Sequence, residues 1–195
     1  MNHSSIAVFC GSSTGFDPTY AQTAARVGQL LAGRNIELIY GAGNVGLMGV
    51  LADAALAAGG RVYGVIPEFL KNYEVCHDGL TRLTVTQTMH ERKQRMADAA
   101  GAFLALPGGF GTLDEFFEIL TWRQLQLHDC PIGLLNVNGY FDPLLDLVHQ
   151  MVERGFVRRE NLDLFVVGDA AEDLLDRLAA AATPTTTGGK WVERG

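Results

Sequence analysis

The chain has 195 residues, 48% hydrophobic and 19% charged, with 15 Lys and Arg against 22 Asp and Glu for a net charge of −7. That length and composition describe one folded domain and exclude a disordered chain. The acidic balance excludes a general nucleic-acid binder, which needs a broad basic surface, so any anionic ligand must be held by a local basic or backbone-donor site.

In chain order, the apolar run Ile6–Cys10 predicts a first strand. Asp17-Pro18 opens a helix over Pro18–Ala32, a capping side chain placed just before a proline at the first helical position. A strand at Ile36–Tyr40, a helix over Gly46–Ala58 and a strand at Val62–Ile66 follow. Residues 67–81 are the longest irregular connection, and long loops are disproportionately functional. Next come Leu83–Thr86 as strand, Met89–Ala100 as helix, Ala102–Leu106 as strand, Leu113–Leu127 as helix and Ile132–Leu135 as strand. Asp142-Pro143 repeats the start signal in a helix over Phe141–Glu153, and Leu164–Val167 and Ala170–Ala182 complete the set. Strands that are apolar throughout and alternate with helices predict an α/β fold, a doubly wound, mostly parallel sheet of about seven strands flanked by helices. From Thr183 onward the composition shifts to Thr-Pro-Thr-Thr-Thr-Gly-Gly, so the expected organisation is a single domain over residues 1–182 and a flexible tail over 183–195.

Glycine is the compositional anomaly, with 23 residues that cluster. Three turns directly follow predicted strands: Cys10-Gly11-Ser12-Ser13, Gly41-Ala42-Gly43-Asn44-Val45-Gly46 and Pro107-Gly108-Gly109-Phe110-Gly111-Thr112. In a parallel sheet such turns share one edge, where a helix N-terminus offers unpaired N–H groups to an anion and glycine lets backbone approach it. Gly11, Ser12 and Gly43 are therefore candidate phosphate or ribose contacts, and the ligand class is a phosphorylated small molecule. The second turn matches G-x-G-x-x-G, but a dinucleotide fingerprint follows the first strand and needs an acid about 20 residues on. Here it follows the second strand, and the nearest plausible acid for that role is Glu68, beyond Pro67. The plain alternative is that these glycines serve tight turns and close helix packing.

Two charged groups stand out. Met89, Met96 and Ala100 mark the inward stripe of a helix, yet Arg92 and Lys93 occupy that stripe, where a charge is costly unless it meets an anion. The alternative is that both snorkel to water or pair with Glu91 or Asp98. Arg95, one turn on, is a third candidate for the cluster. Thr112-Leu113-Asp114-Glu115 reads as a T-x-x-E capping box, which explains Thr112 and Glu115 but not the glycine run before them. A carboxylate there lies beside a bound anion, where an acid, base or cation stabiliser acts on an attached sugar. Cys76-His77-Asp78 has no elbow motif, and adjacent residues rarely converge as a triad. Cys10, Cys76 and Cys130 are odd in number and far apart, and His3, His90, His128 and His149 lack ligand spacing, so neither disulfide nor metal is expected. No apolar segment reaches the roughly 20 residues of a membrane span, and the N-terminal run is too short for a secretory signal. A cytoplasmic protein follows as the expectation.

Together, Met89-His90-Glu91-Arg92-Lys93 and Pro107-Gly108-Gly109-Phe110-Gly111-Thr112-Leu113-Asp114-Glu115 resemble the M-H-x-R-K and P-G-G-x-G-T-x-x-E motifs of the LONELY GUY family of cytokinin-activating phosphoribohydrolases, sometimes labelled lysine-decarboxylase-like. The resemblance extends from the first strand to about Ala182 and implies a Rossmann-like fold, a homodimer, no cofactor, and cleavage of the N-glycosidic bond of nucleoside 5′-monophosphates. It implies Arg92 and Glu115 as the catalytic pair. Lys93, Gly109, Phe110, Gly111, Thr112, Leu113, Asp114, Thr121 and, in the irregular loop, Glu74 would contact substrate. Schiff-base chemistry is not implied, since the family uses the lysine at position 93 for anion contact. A non-catalytic nucleotide-binding or sensing protein on the same scaffold is the alternative.

Overall fold

The protein is described by a computed structural model over residues 4–71 and 76–181. Seven strands, β1 (Ser5–Phe9), β2 (Glu37–Tyr40), β3 (Val62–Pro67), β4 (Arg82–Thr86), β5 (Ala102–Ala105), β6 (Ile132–Leu135) and β7 (Val166–Gly168), alternate with helices α1 (Pro18–Gly33), α2 (Gly46–Ala57), α3 (Glu68–Lys71), α4 (Met89–Ala99), α5 (Phe110–Gln124), α6 (Asp142–Glu153) and α7 (Ala171–Ala180). They form one sheet in the order β4-β3-β2-β1-β5-β6-β7, with every neighbouring pair parallel. The α/β doubly wound expectation holds.

The continuous apolar runs are what a two-sided sheet requires: β1, β3, β5 and β6 are buried at every position. Alternate residues of one strand serve opposite cores. Leu38, Tyr40 and Leu104 pack with Val27 and Leu31 of α1, Leu51 of α2 and Leu174 and Leu178 of α7. Ile39 and Phe103 pack on the other face with Met96 of α4, Phe116 and Ile119 of α5 and Phe141. Beside β1 lie β2 on one side and β5 on the other, so the winding reverses there. The gap above the ends of β1 and β5 is the natural ligand crevice of such a sheet.

Several boundaries differ from expectation. Pro67 ends β3 and Glu68–Lys71 is a short helix, so residues 67–81 are not irregular throughout. Arg159–Leu164 forms a 3₁₀ turn whose last carbonyl accepts a hydrogen bond from Arg123 Nη1 (2.8 Å), which moves the seventh strand on to Val166–Gly168. As an edge strand β4 leaves Leu83 and Val85 exposed, against the expectation of apolar strands covered on both faces. Asp17 caps α1 as expected, accepting from the Thr19 N–H (2.8 Å). Asp142 does not cap α6; it is the helix's first residue, and its carboxylate accepts from Asn136 Nδ2 (2.7 Å). The expected tail over 183–195 lies outside the described residues.

Candidate functional site

At the switch point the three glycine turns interlock. Gly11 N–H donates to the Pro107 carbonyl (3.1 Å), and Leu47 N–H donates to the Gly11 carbonyl (3.0 Å). A Cβ at Gly11 would lie 2.9 Å from the Ser13 carbonyl oxygen, and one at Gly108 would overlap the Thr112 side chain. Gly46, at φ +61°, presses against the Ser12–Ser13 backbone, where any side chain would collide. Packing and turn geometry thus account for the second turn's outer glycines, the plainer of the two readings of G-x-G-x-x-G. Gly43 is buried in a bridge to Cys76.

Gly109 and Gly111 are different: a Cβ on either would meet nothing within 4 Å, and neither has positive φ. Gly111 lies inside the helix, where glycine is unfavourable relative to alanine by about 0.5–1 kcal/mol, and no packing here offsets that. Both line an open cleft of about 330 Å³, together with Ser12, Met48, Thr112, Arg92 and Glu115. Extended Gly109 is the N-cap of α5 and brings no side-chain cap, so the helix start presents free backbone donors to the cleft. Phe110 stands fully exposed on its rim.

This start overturns the capping-box reading. Because α5 begins at Phe110 rather than Leu113, Thr112 and Glu115 are its third and sixth residues and cannot cap it. The box the sequence does contain lies one helix earlier. Thr88 Oγ1 accepts from the Glu91 N–H (3.1 Å), and Glu91 Oε2 accepts from the Gln87 N–H (3.0 Å) at the head of α4.

Arg92 is buried at 8% exposure, as its place on the inward stripe of α4 predicts. Its Nε donates to the Val65 carbonyl of β3 (3.1 Å), and its Nη1 lies 3.4 Å from Glu115 Oε1. The guanidinium fills the space where Gly41 lacks a side chain, and a Cβ there would overlap Nη2. Glu115 has a side chain only 13% exposed. Burial pushes its carboxyl up from 4.5 to about 7, the positive charge of Arg92 offsetting part of the rise. Beside it, burial and then the Glu115 charge push the Cys10 thiol up, so it stays neutral.

Several of the other sequence-predicted residues stand off from this pair. Lys93 does not line the cleft; its Nζ bonds Glu118 Oε1 (3.0 Å) and Asp114 Oδ2 (3.2 Å). Asp114 is exposed, and Leu113 turns into the core beneath α5. Thr121 is exposed two turns along α5 from Asp114 and away from the cleft. Arg95 does not join the cluster: it is exposed and 3.9 Å from Glu91. Glu74 lies outside the described residues. His77 pairs with Asp53 (2.9 Å), not Asp78, so no triad forms with Cys76. Among the described residues no three metal-ligating side chains converge, and no helix is long and apolar enough to cross a membrane. Sequence reasoning missed Gly41 and Val65, which shape and anchor Arg92, and Met48 on the cleft wall. Gly41 stood in plain view as the first residue of the second glycine turn, but nothing in that turn pointed to Arg92.

Such a fold and crevice define a doubly wound α/β protein with an open cleft, lined by a helix start, at its switch point. The family model described as "Possible lysine decarboxylase" matches residues 48–178. The cytokinin riboside 5′-monophosphate phosphoribohydrolase LOG1 of Arabidopsis thaliana is 43% identical over 173 residues, 89% of this chain and 81% of that protein. A probable enzyme of the same designation from Oryza sativa, LOG4, is 45% identical over 177 residues, 91% and 77% of the two chains. The chain belongs to this family, the LONELY GUY-type phosphoribohydrolases. Its fold is also that of the molybdenum cofactor binding protein of Rippkaea orientalis, at TM-score 0.69 and 22% identity over 92% of this chain and 98% of that one; at this identity the likeness concerns the fold alone.

Proposed function

We propose that the protein hydrolyses the N-glycosidic bond of adenosine 5′-monophosphates, N6-modified ones included, to free base and ribose 5-phosphate. The observation that carries this is a buried Arg92–Glu115 pair lining the cleft whose rim is an open-faced glycine turn at a helix start. The substrate phosphate sits on the backbone donors of Gly109–Thr112, which puts the ribose within reach of Glu115. As the C1′–N9 bond breaks, its electron pair leaves with the base, which takes up a proton from solvent, and positive charge builds on the ribose as in other glycoside hydrolyses. Ionised Glu115 stabilises that charge, accepts a proton from the water whose oxygen bonds C1′, and then releases that proton to solvent. Arg92 holds the carboxylate in place. A carboxyl titrating near neutral pH is suited to this exchange.

The family label's decarboxylase reading fits less well. A Schiff base needs a neutral amine, whereas the carboxylates of Glu118 and Asp114 hold the Lys93 ammonium charged against the opposing effect of burial. By family resemblance we assign the protein a homodimeric, cytoplasmic state, checked by light scattering and by fractionation.

Incubation with AMP and with an N6-isopentenyl analogue, followed for free base and ribose 5-phosphate, tests the proposal. Stabilisation of the protein by nucleotide with no base released would make it a binding protein instead. The dependence of kcat/KM on pH should show an acidic limb near 7, activity falling as pH drops and Glu115 takes up its proton. A limb near 4.5 would mean that the buried carboxyl is not the titrating group. Gly111→Ala should raise stability by about 0.5–1 kcal/mol, since the methyl meets open space in a helix, while raising KM for AMP about tenfold. Thermal melts and initial rates on one preparation check both halves.

A further inference from the structure

We propose that Tyr140 is a positioning residue: its hydroxyl holds the Gly108 carbonyl, and so turns the Gly109 N–H toward the cleft as a donor to the substrate phosphate. The inference rests on the hydrolase reading above and deepens it, naming a residue that lies outside both motifs.

The turn before α5 has its carbonyls held one after another. That of Pro107 accepts from the Gly11 N–H (3.1 Å) and that of Gly109 from the Leu113 N–H (3.2 Å), both backbone bonds. Between them, the Gly108 carbonyl accepts from a side chain, the Tyr140 hydroxyl (2.5 Å). No peptide of the described residues is cis. A carbonyl that points at Tyr140 therefore turns the N–H of the same peptide, which belongs to Gly109, the opposite way. Tyr140 shares a recess of about 280 Å³ with Tyr20 and Leu47, beside the cleft that holds Arg92 and Glu115. Gly11, Ser12 and Gly109 line both, so they form the wall between the two. Among the described residues the Gly109 N–H has no partner.

Such a pin is needed because of what flanks the peptide. With glycine on each side, no Cβ restricts its rotation, and the reversed orientation would aim a carbonyl oxygen at the phosphate. The hydroxyl that prevents this is itself braced. In the connection between β6 and α6, Asn138 and Gly139 take left-handed conformations, at φ +51° and +72°. Asn138 Nδ2 donates to Asp17 Oδ2 (2.9 Å), which ties this connection to the head of α1. The Tyr140 ring then meets Tyr20 edge to face at 5.7 Å and Phe141 at 4.9 Å. A segment 32 residues away in the chain thus sets one peptide of the glycine turn.

The test compares Tyr140→Phe with the wild type, by AMP kinetics and by NMR of the Gly109 amide during titration with AMP. Phenylalanine keeps the ring and its contacts with Tyr20 and Phe141 and removes the hydroxyl alone. We expect KM for AMP to rise about fivefold with kcat within about twofold, since the phosphate is held alike in ground and transition states. The acidic limb of the rate should stay where it is. In the wild type the Gly109 amide proton should move downfield as AMP binds, and in the variant that movement should shrink by about half or more. A KM within about twofold of wild type overturns the proposal, as does an amide that responds equally in both proteins or ignores AMP in the wild type. A fall in kcat at unchanged KM also overturns it, and makes the hydroxyl part of the chemistry. Wild-type protein that releases no base defeats the hydrolase reading alone, because the amide titration still decides what Tyr140 does for Gly109.

Discussion

Glu115→Gln is expected to fold, to bind AMP and to lose base release by about a hundredfold or more. Glutamine keeps the shape and can still meet Arg92 Nη1 with its amide oxygen, but supplies neither the negative charge that a developing ribosyl cation needs nor a site for the water proton. The effect on stability has a definite sign. A carboxyl whose value rises from 4.5 to about 7 on folding binds its proton more tightly in the native state. Its stabilising contribution is complete below about 4.5 and is lost as pH climbs through about 7, where the buried group must ionise. Relative to wild type, the glutamine variant should therefore melt higher at pH 8 than at pH 5. Paired melts at the two pH values test this, and adenine release at a rate within threefold of wild type would remove Glu115 from the chemistry.

Arg92→Ala is expected to be as inactive and, unlike the first variant, measurably less stable, by about 1–3 kcal/mol. Its side chain answers the Val65 carbonyl, fills the space beside Gly41 and offsets part of the burial cost of Glu115. Truncation leaves a buried acceptor without its donor and pushes the Glu115 carboxyl further up, so that it is mostly protonated at neutral pH. Raising the pH should then restore a little activity, which separates the electrostatic part of the loss from the geometric part. Urea titration and a rate–pH profile of the variant provide the measurements. Arg92→Lys should not rescue, since one ammonium cannot reach Val65 and Glu115 in the flat geometry of a guanidinium.

Much of this was legible in the chain. The strands declared themselves because both faces of β1, β3, β5 and β6 are covered, which forces unbroken apolar runs. The inward position of Arg92 was readable because a charge on a buried stripe has to be answered by something. The start of α5 was not: Gly109-Phe110-Gly111 reads as turn by local propensity, yet the helix begins at Phe110. The spacing of Thr112 and Glu115 equally suits a capping box and two inward positions inside a helix, and only the helix start separates them. The same three-residue spacing at Thr88 and Glu91 is a true cap, overshadowed by the charges that follow it. Val65 as an anchor was illegible because a carbonyl carries no side-chain signature, and its role depends on which strand lies under α4. The partners of Lys93 depend likewise on two helices meeting in space.

The vacancy at Gly41 reaches into the cleft. A methyl group there would displace the Arg92 guanidinium, which lines the cleft, without meeting the backbone donors at the head of α5. Positions 41 and 92 are therefore coupled: the seat this arginine occupies exists because residue 41 carries no side chain. Alanine at position 41 would thus be felt first at the Arg92–Glu115 pair, one strand away from the helix start that faces the cleft.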